Sequence, residues 1–529
     1  MSGHYDVVVA GGGLAGLTCA AYCVRAGATV LLCEKNAKTG GLVNTFRHRG
    51  FAFDAGIRAF EDSGVISPML AALGVELPLV ENPVSVGIGG KWARLHDKGS
   101  LADYAALLKF HFPSETERID RIAQEIGTVM RYMGVLYGIE NPLFLENRLR
   151  EPKYLIKTLL PWLVKYSVNM KKAERLDAPV RRHLQTFTDS KPLIDMICQH
   201  FFADTPAFFA LSYFGLYLDY QYPLGGTGAL AERMTERLRT LGGEVLLGTP
   251  VKKIFPDRHR AVLEGRGVTY GSLVWAADQT ALYDAVRFSR PLQPGERQRA
   301  IVQGSEGIDS VLTLFIATDL PPEHIGAVCG AHAFYTPVAT GLSSLPSWRD
   351  AAKEGEPEAD SWVRRFLSRT TYEISVPVLR DPSLAPEGKT GLIVSTLFDY
   401  RLARRYAEAG RYDAFKALCS EYILDALAQT IFPSLRKHIE FSSCATPLTI
   451  ERETGNRGGA ITGWAFTNAP VPAVSRFRKI RRAVDTPFPH IYQCGHWTFS
   501  PAGLPVAIIT GKLAADTVTS RRAGKGGPS

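Results

Sequence analysis

The chain contains no cysteine pair at CxxC spacing, no run of roughly 18 unbroken apolar residues, and no charged segment leading into an apolar stretch at its amino end. Each absence removes a class of protein. The eight cysteines, at 19, 23, 33, 198, 329, 419, 444 and 494, are scattered over 529 residues. They build neither a disulfide scaffold nor a zinc knuckle, and a reducing cytosol is the expected setting. Without a leader pattern or a spanning run, the protein is expected to be neither exported by that route nor threaded through a bilayer. The nucleophile elbow GxSxG, the zincin pattern HExxH and any cysteine–histidine pairing by motif are missing, which leaves no metal set and no catalytic dyad. Cys19 and Cys23, at helical spacing, read as core of a first helix and not as a redox pair. Acidic residues are in the minority, 52 against 61 Lys and Arg, for a net charge of +9. That excess points to an anionic partner, nucleic acid or acidic lipid, and charge alone does not separate the two.

Apolar residues make up 46% and charged residues 21%, so the chain can bury a core, and its length suits two or three packed layers and more than one domain. The amino end carries the most specific pattern. Residues 5–10 (YDVVVA) form a β-rich run, Gly11-Gly12-Gly13-Leu14-Ala15-Gly16 follows without a spacer, and a helix-patterned stretch ends at Gly27. Residues 28–34 (ATVLLCE) give a second buried strand closed by Glu34. This is a βαβ unit with a dinucleotide fingerprint. Gly11 allows the sharp turn, Gly13 lets the backbone approach a pyrophosphate, and Gly16 lets helix and strand pack closely. The helix amino end offers free N–H groups to the phosphates. Glu34 would accept from ribose hydroxyls, favouring an unphosphorylated ribose.

Further glycines select FAD over NAD. Thr39-Gly40-Gly41 and then residues 50–56 (GFAFDAG) extend the site beyond what a nicotinamide needs. Near the carboxyl end, residues 491–495 (IYQCG) make another strand-to-glycine turn, followed by Ser500-Pro501-Ala502-Gly503-Leu504-Pro505 and an apolar helix from Val506. A helix amino end aimed at a ligand suits a flavin pyrimidine edge, which gains negative charge on reduction. No second GxGxxG follows another strand. A separate NAD(P)H domain is therefore not expected, and electrons would leave to quinone, oxygen or a protein partner.

The chain resembles the phytoene desaturase superfamily, which takes in bacterial carotene desaturases, carotenoid cis-trans isomerases and retinol saturases. The matching segments are GGGLAG with Glu34 and Lys35, FDAG at 53–56, YPLGGTGAL at 222–230, GGEVLLGTPVKKI at 242–254, VWAAD at 274–278, DPSLAPEGKTGL at 381–392, TPLTIERETGNRGGAITG at 446–463 and CGHWTFSPAGLPVAIITG at 494–511. The resemblance implies an α/β fold: a discontinuous Rossmann-like FAD-binding domain (1–75, 222–285 and 480–520) and a mixed α+β substrate domain (286–479) whose helical part (76–221) faces a membrane. It adds Lys35, Leu42, Gly56 and Val251 to the expected cofactor contacts, beside Gly11 to Gly16, Glu34, Gly40, Gly41, Gly495 and Gly503 to Val506. Val251 would face the adenine end; spacing alone equally allows a core valine. Leu42 stands where many flavin enzymes of this clan carry arginine, and His496-Trp497 replaces smaller residues. Both departures bear on the substrate more than on the cofactor.

Residues 341–362, polar and rich in Gly, Pro and Glu, are expected as an exposed loop, and 521–529 as a frayed, disordered tail. Between 201 and 222 stand nine Phe or Tyr residues. They fit the lining of a long apolar tunnel for a polyene and equally a plain helix core; the resemblance favours the tunnel. Residues 153–172 (KYLIKTLLPWLVKYSVNMKK) combine apolar and aromatic side chains with five lysines, the pattern of a helix lying on anionic lipid or of a solvated helix face. Residues 476–482 (RFRKIRR) form a second basic cluster, but no nucleic-acid-binding motif accompanies it, so nucleic acid is not an expected partner.

Two polar residues are candidates to act beside the flavin ring. Arg58 would stabilise anionic reduced flavin or a developing negative charge, or instead contact the cofactor through its pyrophosphate or form a surface salt bridge; His496 would serve catalysis, or be structural. The expected protein is a cytoplasmic, peripherally membrane-associated FAD oxidoreductase that desaturates a carotenoid or other hydrophobic polyene by hydride transfer. Isomerase and saturase variants share the scaffold. A different class is a non-catalytic module that binds prenylated proteins, as Rab GDP-dissociation inhibitors do. The intact glycine set argues against it.

Overall fold

A computed structural model describes residues 3–137, 139–145, 151–288 and 293–525. Two seven-stranded sheets organise the molecule. In the first, β1 (His4–Ala10) pairs in parallel with β2 (Val30–Cys33) on one side and with Gly267–Trp275 on the other. Glu244–Leu246 extends the β2 edge in parallel, and Ile491–Gln493 runs parallel to the last residues of Gly267–Trp275. Where they lie side by side the central strands are apolar and buried, over Val7–Ala10, Val30–Cys33 and Leu273–Trp275, as a parallel sheet covered on both faces requires. One cover is α1 (Leu14–Arg25), whose first ten residues are buried. Against it lies the carboxyl-terminal helix Leu504–Lys525, approaching so closely that a Cβ on Gly511 would fall 2.5 Å from the Ala15 oxygen.

The second sheet runs Ile439–Ala445, Ser310–Thr318, Thr390–Phe398, Tyr372–Ser375, His332–Thr336, Val84–Ile88, Lys91–Leu95. It is antiparallel except where His332–Thr336 meets Val84–Ile88. The 76–221 region is therefore not all helical. It lends this sheet a hairpin turned at Gly89 and Gly90, both at positive φ, and strands of five residues are too short to stand out inside a helix-rich stretch.

Two further expectations are corrected. Residues 341–362 do not form an open loop: Trp348–Lys353 and Glu356–Leu367 are helices that bury Ala351, Ala352, Ala359 and Trp362. Ser347 and Gly355 are their amino-terminal caps, so the polar and glycine residues punctuate two short helices. The tail is not frayed from 521. The last helix continues to Lys525, with Arg521 held by the Tyr492 hydroxyl and Arg522 by the Gly27 carbonyl and Asp6; residues 526–529 lie outside the described residues.

Candidate active site

β1 delivers the chain into a glycine cradle at the carboxyl ends of the parallel strands. Gly11 has φ +113°, a conformation suited to a residue without a side chain, and a Cβ there would lie 2.6 Å from the Ala276 oxygen. At Gly16 a Cβ would fall 2.0 Å from the Gly11 oxygen, so the helix rests directly on the turn. Gly13 differs: a Cβ would meet nothing within 4 Å, since this residue faces a cavity. α1 starts with no side-chain cap and no acidic residue in its first turn, which leaves its amino end open to an anion. Glu34 is buried, and its two oxygens accept from the Gly12 N–H at 2.7 Å and the Asn36 N–H at 2.9 Å, with lone pairs remaining for hydroxyl donors.

The second glycine pair is tied to the first. The Gly40 N–H donates to the Gly12 carbonyl at 2.8 Å, and a Cβ on Gly56 would stand 1.9 Å from the Leu42 oxygen. From the other end of the chain, the Cys494 N–H donates to the Trp275 carbonyl and the Gly495 N–H to Thr510 Oγ1, each at 2.9 Å. These segments wall a cavity of about 540 Å³. The buried Nε2 of His496, on that wall, has no partner, and burial pulls its pKa down to about 4, so the ring is neutral. The open amino end of α1, an uncrowded Gly13 and this orphaned nitrogen fit an anionic dinucleotide carrying a hydrogen-bonding ring.

Beyond the cradle the same cavity becomes aromatic. Helix Ala207–Tyr217 turns Phe209, Tyr213 and Tyr217, four residues apart, into it, and buries Phe208, Leu211 and Phe214 in the core. One face of this helix therefore lines the cavity while the other is packed in the core. Neighbouring rings meet edge to face, Phe209–Tyr213 at 5.6 Å and Tyr213–Tyr217 at 5.3 Å. His200, beside them, shares a hydrogen bond with the Tyr217 hydroxyl and is held neutral by burial, its pKa near 4.

Under the cavity runs a wired polar layer. Asp54, fully buried, accepts from the Tyr222 hydroxyl, from Thr227 N–H and Oγ1, and from Thr45 Oγ1. The aspartate of FDAG thus clamps YPLGGTG to its own hairpin. Arg58, also buried, donates to the Asp54 and Gly56 carbonyls and to Ser395 Oγ, leaving only Nε unpaired. Arg380 lies over the Tyr222 ring at 3.8 Å and donates to Asn82 Oδ1. The Asn82 amide then gives its N–H to His332 Nδ1, so Nε2 carries the proton and donates to Glu373 at 3.0 Å. Burial works against the Glu373 carboxylate, but the His332 hydrogen bond and the two arginines outweigh it and keep its pKa below the usual value.

Of the residues marked from sequence, Gly11 to Ala15, Glu34, Lys35, Gly40 to Leu42, Gly56, Arg58, Val251, Gly495, His496, Gly503 and Leu504 line the cavity. Gly16, Pro505 and Val506 do not. Gly16 acts through packing, and the helical turn that starts at Gly503 presents Leu504 and Ala507 instead. Sequence reasoning missed Glu61, Asp278, Thr371, Glu373 and Ser395. Asp278 ends the VWAAD motif and caps the next helix, a detectable signal; the others stand in no motif.

The flavin containing amine oxidoreductase family matches residues 14–519. The chain belongs to this family. Among similar proteins, the all-trans-retinol 13,14-reductase of Danio rerio is 23% identical over 93% of the chain and 82% of its own length. Prolycopene isomerase 1 of an Oncidium hybrid cultivar is 24% identical over 98% and 84%. The lycopene-forming phytoene desaturase of Pseudescherichia vulneris is 23% identical over 96% and 98%. These place the chain in the carotene desaturase, isomerase and retinol saturase superfamily. The fold matches an oxidoreductase from Methanosarcina mazei with a TM-score of 0.61 at 15% identity, over 97% of this chain and 99% of that one. As a member, the protein is a FAD-dependent oxidoreductase. Among the described residues no helix is long and apolar enough to cross a membrane.

Proposed function

We propose that the protein desaturates carbon–carbon bonds of a long isoprenoid polyene. The observation that carries this reading is the single cavity that leads from the glycine cradle to the aromatic face of Phe209, Tyr213 and Tyr217. When bound, FAD supplies a two-electron acceptor or donor of hydride. The chain's own residues do the rest. Gly11 to Ala15 and Glu34 hold the adenosine and pyrophosphate, Gly503 and Leu504 present a helix end to the ring, and the aromatic face aligns the polyene and keeps water out. The Arg58 and Arg380 layer fixes the floor against movement. Isomerisation or saturation on the same scaffold is a second reading, favoured by the similarity to a prolycopene isomerase and a retinol reductase.

Anaerobic mixing with phytoene, prolycopene or all-trans-retinol separates the readings. Stoichiometric bleaching of the flavin band supports desaturation; turnover by pre-reduced enzyme alone, without net redox change, replaces it with isomerisation. Electrons from desaturation would pass to a quinone or oxygen.

Residues 152–173 support a bilayer as the place of substrate uptake. They are helical, and Ile156, Leu160, Val164 and Val168, each four apart, are 50–66% exposed beside the lysines. Arg478 of the second basic cluster reaches Glu174 at the end of this helix, 3.9 Å away, so that cluster lies beside the helix end. Replacing Lys165, Lys171 and Lys172 with Glu is expected to release the protein from anionic vesicles, and unchanged sedimentation removes this surface from the reading.

A further inference from the structure

Two carboxyl groups reach the cavity from different sheets of the fold, and their wiring differs. Glu373, on the second sheet, is locked into the Arg380–Asn82–His332 chain described above, and every neighbour in that chain favours its ionised form. Glu61 lies in the short strand Phe60–Glu61, opposite Tyr220, and an oxygen of it stands 3.6 Å from where a Gly503 Cβ would be. That puts it at the amino end of the closing helix, on the cofactor side of the aromatic face. Among the described residues Glu61 has neither an ion pair nor a hydrogen bond to another side chain. The charged or titratable groups around it are Asp62, Asp219 and Tyr220; none is a cation.

We propose that Glu61 gives and takes the proton at the reacting carbon of the polyene, while Glu373 remains the fixed anion facing the positive charge that develops there. This inference rests on the polyene reading. In the protonating direction the Glu61 O–H bond breaks, a C–H bond forms at one end of a conjugated C=C, and the positive charge spreads along the chain. Rotation about the weakened bond followed by return of the proton re-forms O–H and C=C with no net redox change. In desaturation only the second half is used: Glu61 takes the proton from the carbon next to the one that gives up hydride, for which FAD held in the cradle would be the two-electron acceptor, and C=C forms. Burial and the nearby Asp219 push Glu61 up to about 7, so both forms are present near neutrality, as an exchanging group needs. Two carboxyls whose surroundings drive them apart in acidity are the arrangement that divides an acid or base from a charge stabiliser.

The test uses the flavin-loaded protein and its Glu61→Gln and Glu61→Asp variants. Infrared titration of the wild type is expected to show a protonated-carboxyl stretch that disappears with a midpoint near 7 and that Glu61→Gln lacks. Polyene binding, read from the shift of the prolycopene absorption band, should stay within threefold in both variants. Glu61→Gln should lose turnover by about 100-fold or more, in the range of a proton-transfer residue, and Glu61→Asp should recover part of it. A loss below tenfold in Glu61→Gln, or a wild-type rate with no inflection between about pH 6 and 8, overturns the assignment even if a variant fails to fold. A wild type that binds none of phytoene, prolycopene or all-trans-retinol overturns the polyene reading itself, and the inference with it.

Discussion

The two halves of the cavity are built by opposite means. The cofactor side is made of backbone: glycines without Cβ atoms, a helix end without a side-chain cap, one buried carboxylate pinned by two N–H groups. The substrate side is made of side chains brought from distant segments, with aromatic rings over an arginine and carboxylate layer. The contrast shows where variation is tolerated. Backbone recognition is intolerant of added atoms, whereas a side-chain wall can be re-cut for a new substrate provided that its buried charges stay paired.

Four measurements would break or sharpen that contrast. Asp54→Ala removes the acceptor that joins the halves, leaving Tyr222 and Thr227 unpaired near two buried arginines. A loss of about 3–5 kcal/mol in stability is expected, read from the denaturation midpoint. Gly16→Ala forces a Cβ against the Gly11 oxygen and should cost about 3 kcal/mol, the upper end for overpacking, seen chiefly as lost flavin absorbance per mole of protein. An unaltered flavin content there would refute the backbone account of the cofactor side.

The third measurement is the pH dependence of stability. His200 and His496 are held neutral, near 4 against 6.5, so the unfolded chain binds more protons and stability falls as pH drops from 6.5 towards 4. Glu61, raised from 4.5 to about 7, acts in the opposite sense: its folded form keeps a proton that the unfolded form has lost, and stability falls as pH rises from 4.5 to 7. Glu61→Gln should therefore steepen the rise of stability between pH 4.5 and 6.5 by about 1.4 kcal/mol per unit, and His496→Gln should flatten it by as much. The smallest effect is expected from Tyr213→Ala. It removes one ring from the aromatic face and should weaken prolycopene binding by about 1 kcal/mol, roughly fivefold, with flavin content unchanged.

What could be read from sequence follows the same division. Turn, helix and strand spacing at 5–34 located a cradle because glycine positions encode backbone geometry directly. The second glycine pair and the carboxyl-terminal turn were legible for the same reason, although the rotation of the last helix, which faces Ala507 and not Val506 to the cavity, was not. Aromatic density at 201–222 announced an apolar wall without saying which rings turn inward, since the moment of so uniformly apolar a helix carries little direction. Glu61 and Glu373 were invisible: 312 positions apart, they meet one cavity only because two sheets converge on it. The strands at 84–95 were hidden by their brevity, and residues 341–362 by the capping residues that made two helices resemble a loop.

The pairing of β1 with Gly267–Trp275, and of that strand with Ile491–Gln493, has a temporal consequence. During synthesis the first strand emerges long before either neighbour on that flank exists, and the wall of the cradle formed by Gly495, Gly503, Leu504 and Ala507 follows later still. A nascent polypeptide cannot close around its vitamin-derived passenger until that wall has been made, so coenzyme loading waits for it, and shielding of the waiting apolar edge falls to whatever escorts it until then.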